Sequence, residues 1–285
     1  MKYGVFSVSM PEYDIKSTVK VLKELGYNGI EWRVAAPVPA EKPQNYTNEG
    51  RYWTYNLSTL DINTIDSEAY ETSKLCRDSE LDIYSLTTYL TLWDTEGIRK
   101  VAAAANIMDC RNIRVNLPFY DEKENYNSMF GRAREQAKVI EKLAEETGVR
   151  VTFEIHMGSI IPSASAAYRF VSGFNPRYIG VIHDVGNMVH EGFENYKLGL
   201  ELLGEYIANV HIKNYIWKLT ETDKDGVDLW ASVPCPLKKG TANIRKFVGL
   251  LEHTGYDGFL SVEDFSNEQD TYSKLKSNIQ FLKAL

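Results

Sequence analysis

The chain has 285 residues, of which 44% are hydrophobic and 25% charged, and no run approaches the roughly 18 apolar residues that a membrane span needs. Its net charge of −7 argues against a surface that neutralises nucleic-acid phosphates, so a small molecule is the expected partner. Only three cysteines occur, widely separated, and no secretory signal begins the chain, which makes the cytoplasm the default location.

Short apolar, β-branched runs alternate with longer helical segments along the whole chain. The predicted strands are residues 2–9, 28–34, 81–87, 111–117, 149–156, 178–184, 207–213 and 258–264. The predicted helices are residues 15–25, 66–79, 94–108, 127–147, 163–173, 194–204, 241–254 and 269–285. Asp14 caps the first helix and Gly26 ends it. Four later helices begin at a predicted capping side chain: Asp66, Asp94, Ser163 and Thr241.

Eight such strand–helix units predict a closed (β/α)8 TIM barrel that forms a single domain over residues 1–285. Repeated units with right-handed crossovers favour a parallel sheet, and barrels of about 250 residues commonly form one domain. An open doubly wound sheet is the runner-up. That fold usually has a glycine-rich phosphate loop after its first strand, whereas "VFSVSMPEYDIK" follows here, so the barrel is preferred.

Three long connections leave the predicted strand ends, at residues 35–65, 118–126 and 214–240. Barrel active sites form at this rim. The connections are rich in aromatic residues, namely Tyr46, Tyr52, Trp53, Tyr120, Tyr126, Trp217 and Trp230. These side chains either wall a pocket, pack over the barrel mouth or form a contact in a homo-oligomer.

Four acidic or imidazole side chains end successive predicted strands: Glu154 in "VTFEIH", Asp184 in "GVIHDVG", His211 in "ANVHIKN" and Glu263 in "FLSVEDF". A charged residue in such a strand must be paired, bound to metal or exposed at the rim. Taken singly, each has an ordinary explanation as a paired rim acid, a turn cap or a core histidine. Their coincidence at neighbouring strand ends favours one metal ion, and the mixed oxygen and nitrogen donors suit Mn²⁺, Mg²⁺, Co²⁺ or Zn²⁺, with manganese favoured.

The segments "FEIH", "HDVGNMVHEG", "NVHIKN" and "GFLSVED", in that order, resemble the xylose isomerase-like TIM-barrel superfamily of sugar phosphate isomerases and epimerases. The resemblance runs nearly end to end. It implies that Glu154, Asp184, His211 and Glu263 bind one divalent metal and that the two glutamates exchange protons with the substrate. Many sugar epimerases of this group have histidine where this chain has Asn187, so the substrate and the orientation of its hydroxyls stay open.

Further candidates flank these positions. His156 follows Glu154 by two residues and is expected on the same side of the strand. An E-x-H arrangement like this one supplies ligand and base in the carbon-glycoside deglycosidases of the superfamily, although a histidine bonded to a nearby loop is the simpler alternative. Lys213 is expected to point inward with His211, where it would hold a substrate hydroxyl, a phosphate or a carboxylate ligand.

Other predicted substrate ligands are Glu31, Asn116 and Asn187, which lie at or near strand ends. Loop capping, or an ion pair of Glu31 with Arg33, is the alternative for the first two.

The predicted function is a metal-dependent sugar isomerase or epimerase that abstracts a proton beside a carbonyl through an enediolate. The alternative is a lyase, similar to inosose dehydratase or to the 3-keto-glycoside deglycosidases, that eliminates water or an aglycone from a keto sugar. A nuclease similar to endonuclease IV is disfavoured, because the chain is acidic and has only five histidines. A non-enzymatic scaffold is disfavoured because all four ligands are present.

Overall fold

The structure is a computed structural model that describes residues 1–285. The N-terminal half contains, in chain order, β1 (Lys2–Phe6), α1 (Ile15–Leu25), β2 (Gly29–Ala35), β3 (Thr59–Asp61), α2 (Ile65–Asp78), β4 (Asp82–Thr91), α3 (Thr95–Ile107), β5 (Asn112–Asn116) and α4 (Tyr126–Thr147). The C-terminal half contains β6 (Arg150–Glu154), α5 (Ala164–Val171), β7 (Ile179–Asp184), α6 (Met188–Glu191), α7 (Tyr196–Leu203), β8 (Ile207–Ile212), β9 (Asn214–Thr222), β10 (Asp228–Cys235), α8 (Ile244–His253), β11 (Phe259–Val262) and α9 (Thr271–Lys283).

Eight parallel strands close into a barrel in the order β1, β2, β4, β5, β6, β7, β8 and β11. Closure is direct, since β1 pairs with β2 on one side and with β11 on the other. The short strand β3 adds to the edge of β2 outside the ring. Strands such as β7 are buried along their whole length, because side chains fill the interior and helices cover the outside. The predicted (β/α)8 barrel is confirmed.

The helix signals in the sequence are mostly confirmed. The Asp14 side chain accepts a hydrogen bond from the Ser17 amide at 2.7 Å, and Gly26 ends α1 with a left-handed φ of 78°. Asp94 and Ser163 also cap their helices. Two predicted caps are wrong: the N-caps are Thr64 for α2 and Asn243 for α8, rather than Asp66 and Thr241. Asp66 lies instead in the first turn of α2, where its negative charge favours the helix N-terminus.

Several strands end earlier than predicted. β1 stops at Phe6, because Ser7–Ser9 form a 3₁₀ turn. β6 stops at Glu154, whose register partner is Ile182 on β7, so His156 lies beyond the pleated region. The alternation of side chains therefore does not place His156, and its position comes from the loop that follows.

Residues 214–240, predicted as a long connection, contain an antiparallel hairpin of β9 and β10. At its tip, the Asp223 side chain accepts hydrogen bonds from the amides of Asp225 and Val227, both at 2.9 Å, and Gly226 has a φ of 83°. Beyond its base the hairpin is largely exposed, including Trp217 and Trp230. No helix in the chain is long and apolar enough to cross a bilayer.

Candidate metal centre

The four predicted ligands meet at the C-terminal mouth of the barrel. Glu154 and Asp184 are the last residues of β6 and β7, His211 is the second-last residue of β8, and Glu263 follows β11 directly. Asp184 and His211 are register partners, which sets them at the same height in the barrel. All four side chains are buried, and one ligand atom from each lies within 4.8 Å of the others. The structure thus brings together the residues that the sequence singled out.

The His211 ring lies between two sets of carboxylates. Its Nδ1 atom is 3.2, 3.5 and 3.7 Å from carboxylate oxygens of Glu154, Asp184 and Glu263. Its Nε2 atom is 3.0 and 3.1 Å from the two oxygens of Glu31. A carboxylate behind a ligating histidine fixes its tautomer and orientation, so Nδ1 is the nitrogen presented to an ion.

Glu31 lies inside the barrel and has no exposed surface. Besides His211, it accepts hydrogen bonds from the Thr87 hydroxyl, from Asn209 Nδ2 at 2.9 Å and from Ser261 Oγ at 2.8 Å. Both oxygens are therefore engaged. The structure places Glu31 beneath the imidazole, and not at the open rim where a contact with a sugar hydroxyl was expected; the residue stands on the third position of β2, too deep in the strand to reach that rim.

Lys213 extends its ammonium into the group of acids. The Nζ atom is 2.9 Å from Asp184 Oδ2 and 3.9 Å from Glu154 Oε1, and it donates a hydrogen bond to Glu263 Oε2. The stem of Lys213 rests on Gly186, where a Cβ would come within 2.3 Å of Lys213 Cγ and 2.8 Å of its carbonyl oxygen. Of the three predicted roles of Lys213, holding a carboxylate is the one that these contacts match.

Arg114 was not singled out from the sequence. It is buried on β5, and its Nη2 atom is 3.0 Å from Glu154 Oε2 and 2.8 Å from Asn116 Oδ1. Asn116 therefore accepts a hydrogen bond from Arg114. The sequence did contain a signal for Arg114: it is a charged residue within the short strand "NIRVN", two positions before Asn116 and hence on the same face of the strand.

Asn187 is fully buried beside two of the acids. Its backbone amide donates to Asp184 Oδ1 at 2.7 Å, and its side-chain amide donates to Glu154 Oε1 at 3.0 Å and to the Ile155 carbonyl at 3.1 Å. These bonds hold the first two carboxylates in place. Its side-chain oxygen has no hydrogen-bond partner.

His156 lines a small cavity together with Arg114, Asn116 and Glu154, although it lies beyond β6. Its Nδ1 atom is 2.7 Å from the Met157 carbonyl oxygen, and its ring meets Phe119 edge-on at 5.3 Å. Burial lowers the pKa of His156, which Glu154 partly opposes. A largely neutral imidazole thus stands beside Glu154.

The two glutamates differ in acidity. Burial would raise the pKa of Glu154, but the Arg114 guanidinium and the His211 ring hold it well below its usual range. Burial raises the pKa of Glu263 to about 7, against the attraction of Lys213 and His211. Two carboxylates in one site with opposite shifts are typical of acid–base chemistry.

The donor set fits a divalent cation. Three carboxylates and one imidazole are ordinary ligands of Mn²⁺, Mg²⁺, Co²⁺ or Zn²⁺. Ligands on opposite sides of such an ion, at about 2.1 Å each, are roughly 4.2 Å apart, so the observed spacing needs only a small contraction. The buried Asp184 Oδ2 accepts no hydrogen bond, although Lys213 Nζ lies 2.9 Å away. An oxygen left in this state is suited to coordinate an ion.

Comparison with known proteins agrees with this architecture. Residues 19–285 match the family model described as "Xylose isomerase-like TIM barrel". An inosose dehydratase of Mesomycoplasma hyopneumoniae (strain 7448) is 24% identical over 155 residues, which cover 52% of this chain and 51% of that protein. The chain thus spans about half the length of this curated relative.

Solved structures share the fold at low sequence identity. The apo form of a 3-keto-D-glucoside 4-epimerase from E. coli superposes with a TM-score of 0.74, at 15% identity and with full coverage of both chains (100% each). The IOLI protein with a bound zinc atom has a TM-score of 0.71 at 16% identity, covering 100% of this chain and 96% of that chain. The family match over nearly the whole chain shows that the protein belongs to the xylose isomerase-like TIM-barrel family.

Proposed function

We propose that the protein is a metal-dependent isomerase or epimerase of a small sugar or polyol derivative, which moves a proton at a carbon beside a carbonyl. One observation carries this proposal: three carboxylates and the Nδ1 atom of His211 converge within 4.8 Å at the mouth of the barrel. The zinc-bound and epimerase structures of similar fold support it. Mn²⁺ is the favoured ion, and Mg²⁺, Co²⁺ and Zn²⁺ suit the same donors.

Glu154, Asp184, His211 and Glu263 would hold the ion. When bound, a divalent ion supplies positive charge beside the carbonyl oxygen, where negative charge develops as the proton leaves. Glu154 and Glu263 stand on strands from different sides of His211, and we assign them as the pair that removes and returns the proton. Return to the neighbouring carbon isomerises the sugar, whereas return to the opposite face of the same carbon epimerises it.

Neighbouring residues position this pair. Arg114 and Asn187 hold Glu154, Lys213 holds Glu263, and Glu31 holds the His211 ring. We therefore assign Glu31 to orientation of the imidazole, because both its oxygens are engaged. Lys213, Asn116 and Asn187 remain our candidates for contact with the substrate hydroxyls.

A lyase of the same family is the second candidate, and a specific observation favours it. His156 lines the same cavity as Glu154, where a largely neutral imidazole is suited to take the proton whose removal precedes loss of a β-substituent. The similarity to inosose dehydratase also favours elimination.

The two reactions are distinguished by incubating the Mn²⁺-loaded protein with keto sugars in heavy water and following the products by NMR. The proposal predicts deuterium in an interconverted sugar. Release of water or an aglycone without interconversion, together with loss of that release alone in His156→Ala, would establish the lyase. Absence of both deuterium uptake and fragment release across the panel would contradict the proposed function.

A further inference from the structure

Arg33 on β2 is a buried cation without an acidic partner. It is 5% exposed and donates hydrogen bonds to Tyr89 Oη at 3.3 Å, to Thr59 Oγ1 at 2.6 Å and to the Trp53 carbonyl at 2.6 Å. None of these acceptors carries a charge, and no carboxylate lies within ion-pair distance. Two of its five N–H donors remain unused. A buried charge left in this state is costly unless something compensates it.

Arg114, on the other side of Tyr89, also has N–H donors that make no hydrogen bond. It is 7% exposed, and its Nη2 atom serves both Glu154 and Asn116. Its Nε atom is buried without any hydrogen-bond partner. The Nε–H donor of Arg114 is therefore unused.

The two guanidinium groups lie against the same aromatic ring. The central carbon of Arg33 is 5.1 Å from the centroid of Tyr89, and that of Arg114 is 5.8 Å from it. Arg114 in turn is 3.0 Å from Glu154 Oε2, so Tyr89 and Arg114 connect Arg33 to the candidate metal centre. Both arginines thus border the mouth that holds the acids.

The charges around the mouth give a reason for an anion. Four buried acids, namely Glu31, Glu154, Asp184 and Glu263, face three buried cations, namely Lys213, Arg33 and Arg114. With the divalent ion of the proposed function, a neutral His211 and Glu263 ionised beside that ion, the positive charges exceed the negative ones by one. A negatively charged group on the substrate would restore neutrality in a region that water enters poorly.

We propose that the substrate is an acidic keto sugar, whose carboxylate or phosphate binds Arg33 and the unused Nε–H donor of Arg114 beside Tyr89. The inference rests on the proposed function for the orientation of the substrate: the keto end faces the carboxylates, and the anionic end faces the arginines. Guanidinium groups suit this role because their paired N–H donors match the oxygens of carboxylate and phosphate.

A purely structural role of Arg33 makes a different prediction. In that role it only ties the segment of Trp53 and Thr59 to β2, and its loss would weaken the binding of charged and neutral sugars equally. The two roles of Arg33 are therefore distinguished by the ratio of the affinity for a charged sugar to the affinity for a neutral sugar.

The test measures dissociation constants by calorimetry for three ketoses: D-fructose, 2-keto-D-gluconate and D-fructose 6-phosphate. They are neutral, a carboxylate and a phosphate, so the tighter charged ligand also identifies the anionic group. We expect one of them to bind wild type at least roughly tenfold more tightly than D-fructose, and Arg33→Gln to remove this preference. Equal affinities in wild type, or a preference that survives in Arg33→Gln, would overturn the proposal.

Arg150→Gln is the matched control. Arg150 is a half-buried arginine at the opposite end of the barrel that donates to the carbonyls of Glu205 and Tyr206 and has no acidic partner. This variant should keep the preference. If Arg33→Gln does not fold, Arg33→Lys retains the charge without the paired donors and should reduce the preference, whereas an unchanged preference would again overturn the proposal.

Binding in excess chelator separates the two proposals. The preference for the charged ketose should be weaker there, because the two positive charges of the ion are gone, but what remains should still be lost in Arg33→Gln even if no metal-dependent turnover exists. Failure of the proposed function would appear only as absent deuterium exchange.

Discussion

The two sides of the barrel mouth differ in charge and in how well that charge is satisfied. On β6, β7, β8 and β11, three carboxylates surround His211, and most of their oxygens already contact a cation or an amide. On β2, β4 and β5, two arginines flank Tyr89 with N–H donors to spare. The first side thus has an excess of negatively charged groups, and the second an excess of positively charged groups. We call them the acidic side and the basic side.

This difference matches two proposed tasks within one mouth. In the proposed function, the acidic side would supply the metal ligands and proton carriers for chemistry at a carbonyl, and the basic side would supply the donors for the proposed anion. Arg114 joins them, since one atom of its guanidinium contacts Glu154 while its Nε atom is free. Substitutions on the acidic side should therefore reduce metal binding and turnover. Substitutions on the basic side should change the relative affinity for charged and neutral sugars.

The largest effect is expected from Glu263→Gln on the acidic side. Removal of one proton carrier should lower the rate of deuterium exchange into substrate by about 10³-fold, with the fold retained. Asp264→Asn is the control, because Asp264 is the next residue and equally buried but bonds to Ser266 and Asn278 outside the centre. Exchange that is unchanged in Glu263→Gln would remove Glu263 from the proton-transfer pair.

A smaller effect is expected beneath the centre, from Glu31→Gln. Loss of the carboxylate behind His211 should weaken Mn²⁺ binding by about 10- to 100-fold, measured by competition with a chelator. Glu12→Gln is the control, because Glu12 pairs with Arg51 outside the centre. If Glu31→Gln binds Mn²⁺ as tightly as wild type, Glu31 does not orient the ligand.

Gly186→Ala tests whether the position of Lys213 matters. A Cβ at residue 186 would meet the stem and the carbonyl of Lys213, so the ammonium should shift from Glu263 and turnover should fall at least about tenfold. Gly249→Ala on α8 is the control, since its Cβ would enter open space. Equal turnover in both variants would show that Lys213 tolerates displacement.

The sequence predicted the convergence of the four candidate ligands better than it predicted the residues around them. Glu154, Asp184, His211 and Glu263 each end a strand, and parallel strands of a barrel present their ends at one rim, so their convergence follows from topology. Arg33 and Arg114 lie within strands, where a charged residue has several explanations. Only the three-dimensional positions of their neighbours show that Arg33 lacks an acidic partner and that the Nε–H donor of Arg114 is unused.

Local errors in the predicted fold have a common physical cause. The β9–β10 hairpin was predicted as a loop, although "TDKDG" contains a turn signal, because its strands are too exposed to show a buried run. His156 was placed by strand alternation, yet β6 ends at Glu154. Patterns of burial predict the barrel strands well and the segments beyond them poorly.

His183 lies on neither charged side of the mouth, and its substitution is expected to have the smallest effect of those predicted. It packs against Phe247 at 4.9 Å, and neither ring nitrogen has a hydrogen-bond partner. Burial lowers the pKa of His183 to about 4. Because the folded protein favours the neutral ring, this contribution to stability is complete above pH 6.5, the pKa of the unfolded chain, and is lost as the pH falls towards 4.

Urea denaturation should therefore show a loss of about 0.7 kcal/mol attributable to His183 between pH 7 and pH 6. His183→Leu should show a correspondingly smaller loss over the same interval, with turnover at pH 7 preserved. If the free energy of unfolding depends on pH identically in wild type and in His183→Leu, protonation of His183 does not destabilise the folded protein.

The proposed metal centre is tested by the number of Mn²⁺ ions bound per chain, measured by elemental analysis after equilibrium dialysis. We expect one ion for wild type and for Arg33→Gln, and none for a double variant Asp184→Asn, His211→Gln. Wild type that binds no ion under saturating Mn²⁺, or a double variant that binds as much as wild type, would contradict the assignment of the acidic side as a metal centre.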